Sequence, residues 1–310
     1  MSTDLRGIYA AVVTPFDEDG QPALDQLAAH LAHLARRGCH GVLLCGTTGE
    51  GPSLSVEERV AVFEAAAGAG TGLRLLGGTG GVSLEDVVTL TRAAFDGGLD
   101  GVVILPPFFY LDPTPDGLFD FFAGVVKRAV PEDGAVLLYH NPFIAGPGID
   151  AGLIRRLRDA FPAQVVGVKN SSRDWDYAHM LLDTFPGFQV LVGADALLAR
   201  NLEAGGAGAI TGLANLFPDL LRDVYDLYRQ GASPAEAQKR LDAAAAQLNG
   251  LPRIPATKAL LAAGGIIEAG DVRPPLRGLA EAEFDELARR FHLGVEMPGH
   301  IDLDAPQGKT

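Results

Sequence analysis

Lys169 ends the apolar run Val165-Val166-Gly167-Val168, which is how a strand buried on both faces delivers a cation to its C-terminal tip. A lysine held in a desolvated pocket has its charged form disfavoured, and the neutral amine attacks carbonyls to form a Schiff base. The competing reading is a structural ion pair, or a stem that carries the charge to the surface. The other lysines, Lys127, Lys239, Lys258 and Lys309, fall on helix-like stretches or near the C-terminus, where a flexible stem reaches water. A second chemical stretch is Gly46-Thr47-Thr48-Gly49-Glu50-Gly51. Its glycines permit a sharp turn that leaves two hydroxyls and several N–H groups for an anion such as a carboxylate; it equally suits a plain hydroxyl-rich turn. A third is Tyr139-His140-Asn141-Pro142. A tyrosine at a strand tip serves as a general acid or base when it reaches the reacting centre, and otherwise packs as an aromatic. Gly77-Gly78-Thr79-Gly80-Gly81 superficially suggests a phosphate cradle but lacks the Gly-Lys-Ser or Gly-Lys-Thr continuation, and reads as a βα turn.

These groups need a frame that brings strand tips together. Short apolar runs alternate with helical patterns along the chain, as parallel βα units require. The strand candidates are Ile8–Thr14, Gly41–Cys45, Leu73–Gly77, Gly101–Leu105, Ala135–His140, Val165–Lys169, Gln189–Gly193 and Gly208–Thr211. Helical stretches follow each, from Leu24–Arg37 to Leu216–Arg229. Eight such units over about 230 residues predict a closed (β/α)8 barrel, with an open doubly wound sheet as the alternative. A barrel over 1–230 places every one of the stretches above at its C-terminal mouth, the face on which barrel enzymes do chemistry. After Gly231 the rhythm stops. Ser233-Pro234 reads as an N-cap with proline at the first helical position, opening a helix to Leu248, and further helical runs cover Ala256–Ala263 and Glu281–Phe291. Residues 231–296 thus read as a helical extension, and 297–310 as a loose tail.

At 310 residues and 47% hydrophobic the chain can bury a large core, and its net charge of −14 disfavours nonspecific binding to nucleic acid or anionic membranes. Met1–Arg6 carries no signal-peptide pattern, and no apolar run approaches the length of a membrane span. Cys39 and Cys45 form no disulfide framework, which fits a reduced, cytoplasmic setting. A metal-dependent aldolase would need clustered histidines and carboxylates at strand ends, whereas His30 and His33 fall on an outer helix and the other histidines are scattered.

Taken together, the Gly46-Thr47-Thr48-Gly49-Glu50 loop after strand two, Tyr139-x-x-Pro142 after strand five and Gly167-Val168-Lys169 on strand six resemble the dihydrodipicolinate synthase and N-acetylneuraminate lyase family in order and spacing. The resemblance implies a (β/α)8 barrel with a C-terminal helical extension, a homotetramer, no metal or organic cofactor, and class I aldolase chemistry on pyruvate or another 2-oxo acid. It matches Lys169 to the Schiff-base lysine and Tyr139 to the proton-relaying tyrosine. Thr47 and Thr48 match the pair that holds the substrate carboxylate and aligns the tyrosine, and Gly193 and Ile210 match positions lining the pyruvate pocket. His140 follows Tyr139 at the rim, where it contacts the distal part of the substrate or is simply a turn histidine.

Two departures bear on the substrate. Ile144 stands where dihydrodipicolinate synthases carry an arginine for the aldehyde's carboxylate, and Phe109 aligns with the second tyrosine of their relay, although Tyr110 is adjacent. Arg173 either supplies a replacement cation above the pocket or faces solvent. The expectation is an aldolase, lyase or dehydratase acting on a 2-oxo acid such as a 2-keto-3-deoxy sugar acid. The alternatives are 4-hydroxy-tetrahydrodipicolinate synthase and a barrel that binds a 2-oxo acid without turning it over.

Overall fold

The computed structural model describes residues 4–146 and 148–293. Its strands are β1 (Gly7–Ala11), β2 (Gly41–Leu44), β3 (Arg74–Gly78), β4 (Gly101–Ile104), β5 (Ala135–His140), β6 (Val165–Asn170), β7 (Gln189–Val192) and β8 (Gly208–Thr211). They pair in parallel in chain order and close into a barrel, the (β/α)8 architecture expected. The helices are α1 (Leu24–Arg36), α2 (Val56–Gly68), α3 (Leu84–Asp96), α4 (Pro115–Ala129), the short α5 (Pro142–Ala145), α6 (Ala151–Ala160), α7 (Trp175–Thr184), α8 (Leu198–Glu203) and α9 (Pro218–Arg229). Three more, α10 (Ala235–Ala246), α11 (Arg253–Ala263) and α12 (Glu281–Phe291), follow the last unit. No helix among the described residues is long and apolar enough to cross a membrane.

The strands are apolar on both faces because both are covered. Tyr9, Leu43, Leu76, Leu137, Leu191 and Ile210 fill the barrel interior. Ile8, Val42, Val102, Val136, Val168 and Val190 pack outward under the helices. Polar caps fix where helices begin: Ser83, Thr114, Asp150 and Asp174 each accept a first-turn N–H, and Ser55 forms a reciprocal box with Glu58.

Register decides which side chains enter the barrel. Val136 pairs with Val165, but the next residue, Leu137, pairs with Gly167, so Val166 is an extra residue on β6. Side chains alternate faces along a strand, so one inserted residue reverses the phase of all that follow. Lys169 therefore lies opposite Tyr139 and on the same interior side.

Several boundaries differ from those expected. β1 stops at Ala11 rather than Thr14, because the Val13 N–H is taken by the Asn215 side chain and the Thr14 hydroxyl bonds the Gly49 carbonyl. In α10, Pro234 is the cap residue itself with no side-chain cap, and the helix ends at Ala246 rather than Leu248. Residues 294–296 of the expected extension, and the expected tail, lie outside the described residues.

The seam between β8 and β1 depends on a missing side chain. Gly208 has φ +134°, and a Cβ there would lie 1.9 Å from the Gly7 carbonyl oxygen. Gly208→Ala is expected to lower the unfolding free energy by more than about 3 kcal/mol, read from the midpoint of urea denaturation.

Candidate active site

Lys169 and Tyr139 are both buried, and the lysine Nζ lies 4.3 Å from the centroid of the tyrosine ring. The Tyr139 hydroxyl is 3.5 Å from Thr47 Oγ1 and accepts from Asn141 Nδ2 at 3.1 Å. Burial pushes the phenol up, but the Lys169 ammonium and hydrogen bonds from Thr47, Asn141 and Ser171 outweigh it and bring the pKa down to about 8. A cation, an acidified phenol and two hydroxyl donors thus converge at the tips of β2, β5 and β6.

Thr47 comes from the loop between β2 and α2, which folds back on itself through Glu50 N–H to Thr47 O at 3.2 Å and Gly51 N–H to Gly46 O at 3.0 Å. The loop is anchored from below. Lys258, expected to reach water, is instead wholly buried: its Nζ lies 2.6 Å from Glu50 Oε1 and donates to the Asp271 carbonyl at 2.6 Å. Its stem does not snorkel because α11 packs against the barrel and its carboxylate partner, Glu50, is itself 2% exposed. Burial pushes Lys258 down, against the pull of the Glu50 carboxylate. Glu50 Oε2 also accepts the Arg273 N–H at 2.9 Å, while the Arg273 guanidinium bonds both oxygens of Glu58. Arg59, also buried, donates to the Gly51 and Gly80 carbonyls and so joins this loop to the turn after β3, the glycine-rich stretch read as a plain turn.

A cavity of about 270 Å³ opens above Tyr139 and Thr47, walled by Val103, Leu105, Phe108 and Ile144. Beside it a space of about 360 Å³ is bounded by Asn141, Ser171, Arg173 and Gly193, with Ile144 shared between the two. Gly193 matters by its lack of a side chain, since a Cβ would lie 2.1 Å from Ser171 Oγ. Thr48 lies across from Gly212 on the side of β8. Ile210 is fully buried in the barrel interior beneath the mouth.

Other residues singled out in the sequence fall elsewhere. His140 faces away from Tyr139: its Nδ1 accepts the Ile149 N–H at 3.0 Å and its ring stacks on Tyr177 at 4.0 Å. Burial pushes this imidazole down to about 4, so it is a neutral packing and hydrogen-bonding group. Phe109 and Tyr110 are 74% and 72% exposed and contact each other edge-on. Arg173 is exposed at the rim, as the solvent-facing reading expects, and also borders the cavity. His30 and His33 are buried on α1, with His30 Nε2 3.0 Å from Asn215 Oδ1. Among the described residues, no three His, Cys, Asp or Glu side chains stand where they could hold a metal ion. Missed in the sequence were Asn141, Ser171, Arg59 and Lys258. Asn141 and Ser171 each follow a named residue by two, the strand period, which was the available signal; for Arg59 and Lys258 there was none.

A closed (β/α)8 barrel with ionisable side chains gathered at its strand tips has the architecture of a barrel enzyme. The chain belongs to the dihydrodipicolinate synthetase family, whose model matches residues 4–292, and is a lyase of that family. It is 40% identical over 287 residues to an uncharacterized DapA-like lyase of Chloroflexus aurantiacus, covering 92% of this chain and 96% of that one. It is 33% identical to the 4-hydroxy-tetrahydrodipicolinate synthase of Methanoculleus marisnigri, covering 91% and 97%. Among solved structures, YagE from E. coli K12 in complex with pyruvate superposes with a TM-score of 0.86 at 25% identity, covering 93% of this chain and 98% of that one.

The buried Glu50–Lys258 pair gives a direct stability test. Lys258→Met takes the ammonium from the buried Glu50 side chain, leaving it the Arg273 N–H, and is expected to cost about 3–5 kcal/mol in urea denaturation. The double variant Glu50→Gln, Lys258→Met is expected to recover more than half of that loss.

Proposed function

We propose that the protein is a class I lyase that forms an imine between Lys169 and the 2-oxo carbon of pyruvate or a longer 2-oxo acid. The observation that carries this reading is the buried Lys169 Nζ 4.3 Å from the Tyr139 ring, with the phenol held by Thr47 and Asn141. Attack of the amine on the carbonyl makes a C–N bond and a carbinolamine; protonation of its hydroxyl by Tyr139 releases water and leaves the iminium. The iminium accepts the electron pair of the bond that breaks next to the α-carbon, while Tyr139 takes the proton from the departing hydroxyl, leaving an aldehyde. The hydroxyls of Thr47 and Thr48 hold the carboxylate, Gly193 leaves room beside Ser171, and Ile210 forms part of the floor. The iminium nitrogen is the electron sink, so this route uses no metal or organic cofactor.

A 2-keto-3-deoxy sugar acid suits the space beyond the imine, where Asn141 and Ser171 offer polar groups to hydroxyls. Synthesis of 4-hydroxy-tetrahydrodipicolinate is the second reading, favoured by the relatives of that name. Against it, Ile144 gives the cavity an apolar wall, and Phe109 has no hydroxyl to relay a proton. A barrel that binds a 2-oxo acid without turnover is the third, and cleavage of any 2-keto-3-deoxy acid would exclude it.

Borohydride reduction in the presence of pyruvate is expected to leave one pyruvyl adduct on the peptide containing Lys169, and none in Lys169→Ala; an adduct elsewhere, or none on folded protein, would sink the reading. The pH dependence follows from Tyr139. Above about 8 the phenol is ionised, and the phenolate takes a proton from the amine as it adds to the carbonyl, which restores the acid. The trapping rate is therefore expected to rise with pH through about 8. In Tyr139→Phe that limb is lost, and the rate falls about a hundredfold or more.

A further inference from the structure

Arg173, in the turn between β6 and α7, adopts φ +61°, in the left-handed region that residues other than glycine seldom occupy. The turn is knitted without help from its side chain. Asn170 Oδ1 accepts the Ser172 N–H and hydroxyl at 3.0 and 2.8 Å, Ser172 Oγ accepts the Asp174 N–H at 3.1 Å, and Asp174 caps α7. The guanidinium lies 5.9 Å from the Phe143 ring centroid and, among the described residues, meets no carboxylate at ion-pair distance. Arg173 borders both the space containing Asn141, Ser171 and Gly193 and a larger one of about 590 Å³ that reaches Thr48 and Gly212. Arg253, the other cation around the larger space, already acts on the buried carboxyl of Asp195. Asp195 and Asp242 also line the larger space, but in the smaller one, which a chain starting at Lys169 enters past Ser171 and Gly193, Arg173 is the one charged lining residue.

We propose that Arg173 is a specificity residue that selects 2-oxo acids carrying a second carboxylate at the end remote from the imine carbon. The inference rests on the imine reading of Lys169. A guanidinium offers a planar fork of N–H donors that fits the two oxygens of a carboxylate. In the smaller space the facing side chains Phe143 and Ile144 are apolar and answer no charge; Asp195 and Asp242 border only the larger one. A strained backbone that presents an unpaired cation to a cavity is accounted for if the cation has a ligand there.

The test uses borohydride trapping on the whole chain with matched probes: 2-oxoglutarate against 2-oxopentanoate, and 2-oxoadipate against 2-oxohexanoate. The concentration for half-maximal adduct on Lys169 is expected to be at least about tenfold lower for the dicarboxylate in one or both pairs. In Arg173→Gly, which relieves the positive φ and keeps the fold, the difference disappears while pyruvate trapping is unchanged; Arg173→Lys retains part of it. Equal trapping within both pairs by the native chain, or discrimination that survives Arg173→Gly, would overturn the proposal while leaving the imine reading intact. Failure of the native chain to trap pyruvate would instead overturn the imine reading, and this inference with it.

Discussion

The slip of register between β5 and β6, where Val166 has no partner of its own, turns Lys169 into the barrel beside Tyr139. Regular pairing from Val165 onward would have sent the lysine outward among the aliphatic side chains beneath the helices, where an ammonium is costly to bury. Facing inward, its charge acts on the phenol through a short, dry distance and, together with the Thr47, Asn141 and Ser171 hydrogen bonds, outweighs the effect of burial on that group. The acidity of Tyr139 thus depends on strand geometry and on these hydrogen bonds together.

Thr47 reaches the phenol only because its loop is held from the opposite side. Glu50 lies in the left-handed region at φ +54° and is buried, two conditions that a surface loop would not sustain unaided. Lys258 and the Arg273 backbone satisfy its two oxygens, and the Arg273 guanidinium secures Glu58 at the start of α2. The helix α11 and the loop after it therefore support the mouth as well as cover the outside.

Much of this was legible in the sequence, and the limits have physical causes. The βα rhythm placed all eight strands to within a few residues, because each is a short aliphatic run bounded by turn residues. The stretches holding Lys169, Tyr139 and Thr47 were found because charged and hydroxyl groups at the ends of such runs are conspicuous. The bulge was hidden: Val165-Val166-Gly167-Val168 is apolar on both faces, so no alternation betrays the phase. His140 was left between a substrate contact and a turn residue, and it packs away from Tyr139 because adjacency in a strand means opposite faces. Lys258 was misread because the sequence around it is an ordinary alanine-rich helix, and its partner lies 208 residues away.

That separation also sets an order of events in synthesis. A chain leaving the ribosome presents the β2 strand and its threonine loop long before the helix carrying Lys258 exists. During that interval Glu50 has no ammonium to meet and stays hydrated, so the loop that holds Thr47 has only its own backbone bonds, Thr14 and Arg59 to shape it. A nascent barrel can assemble all eight strands and still lack an organised mouth. Competence arrives with the last sixty or so described residues, which makes the C-terminal helices a completion signal written into the covalent order of the chain.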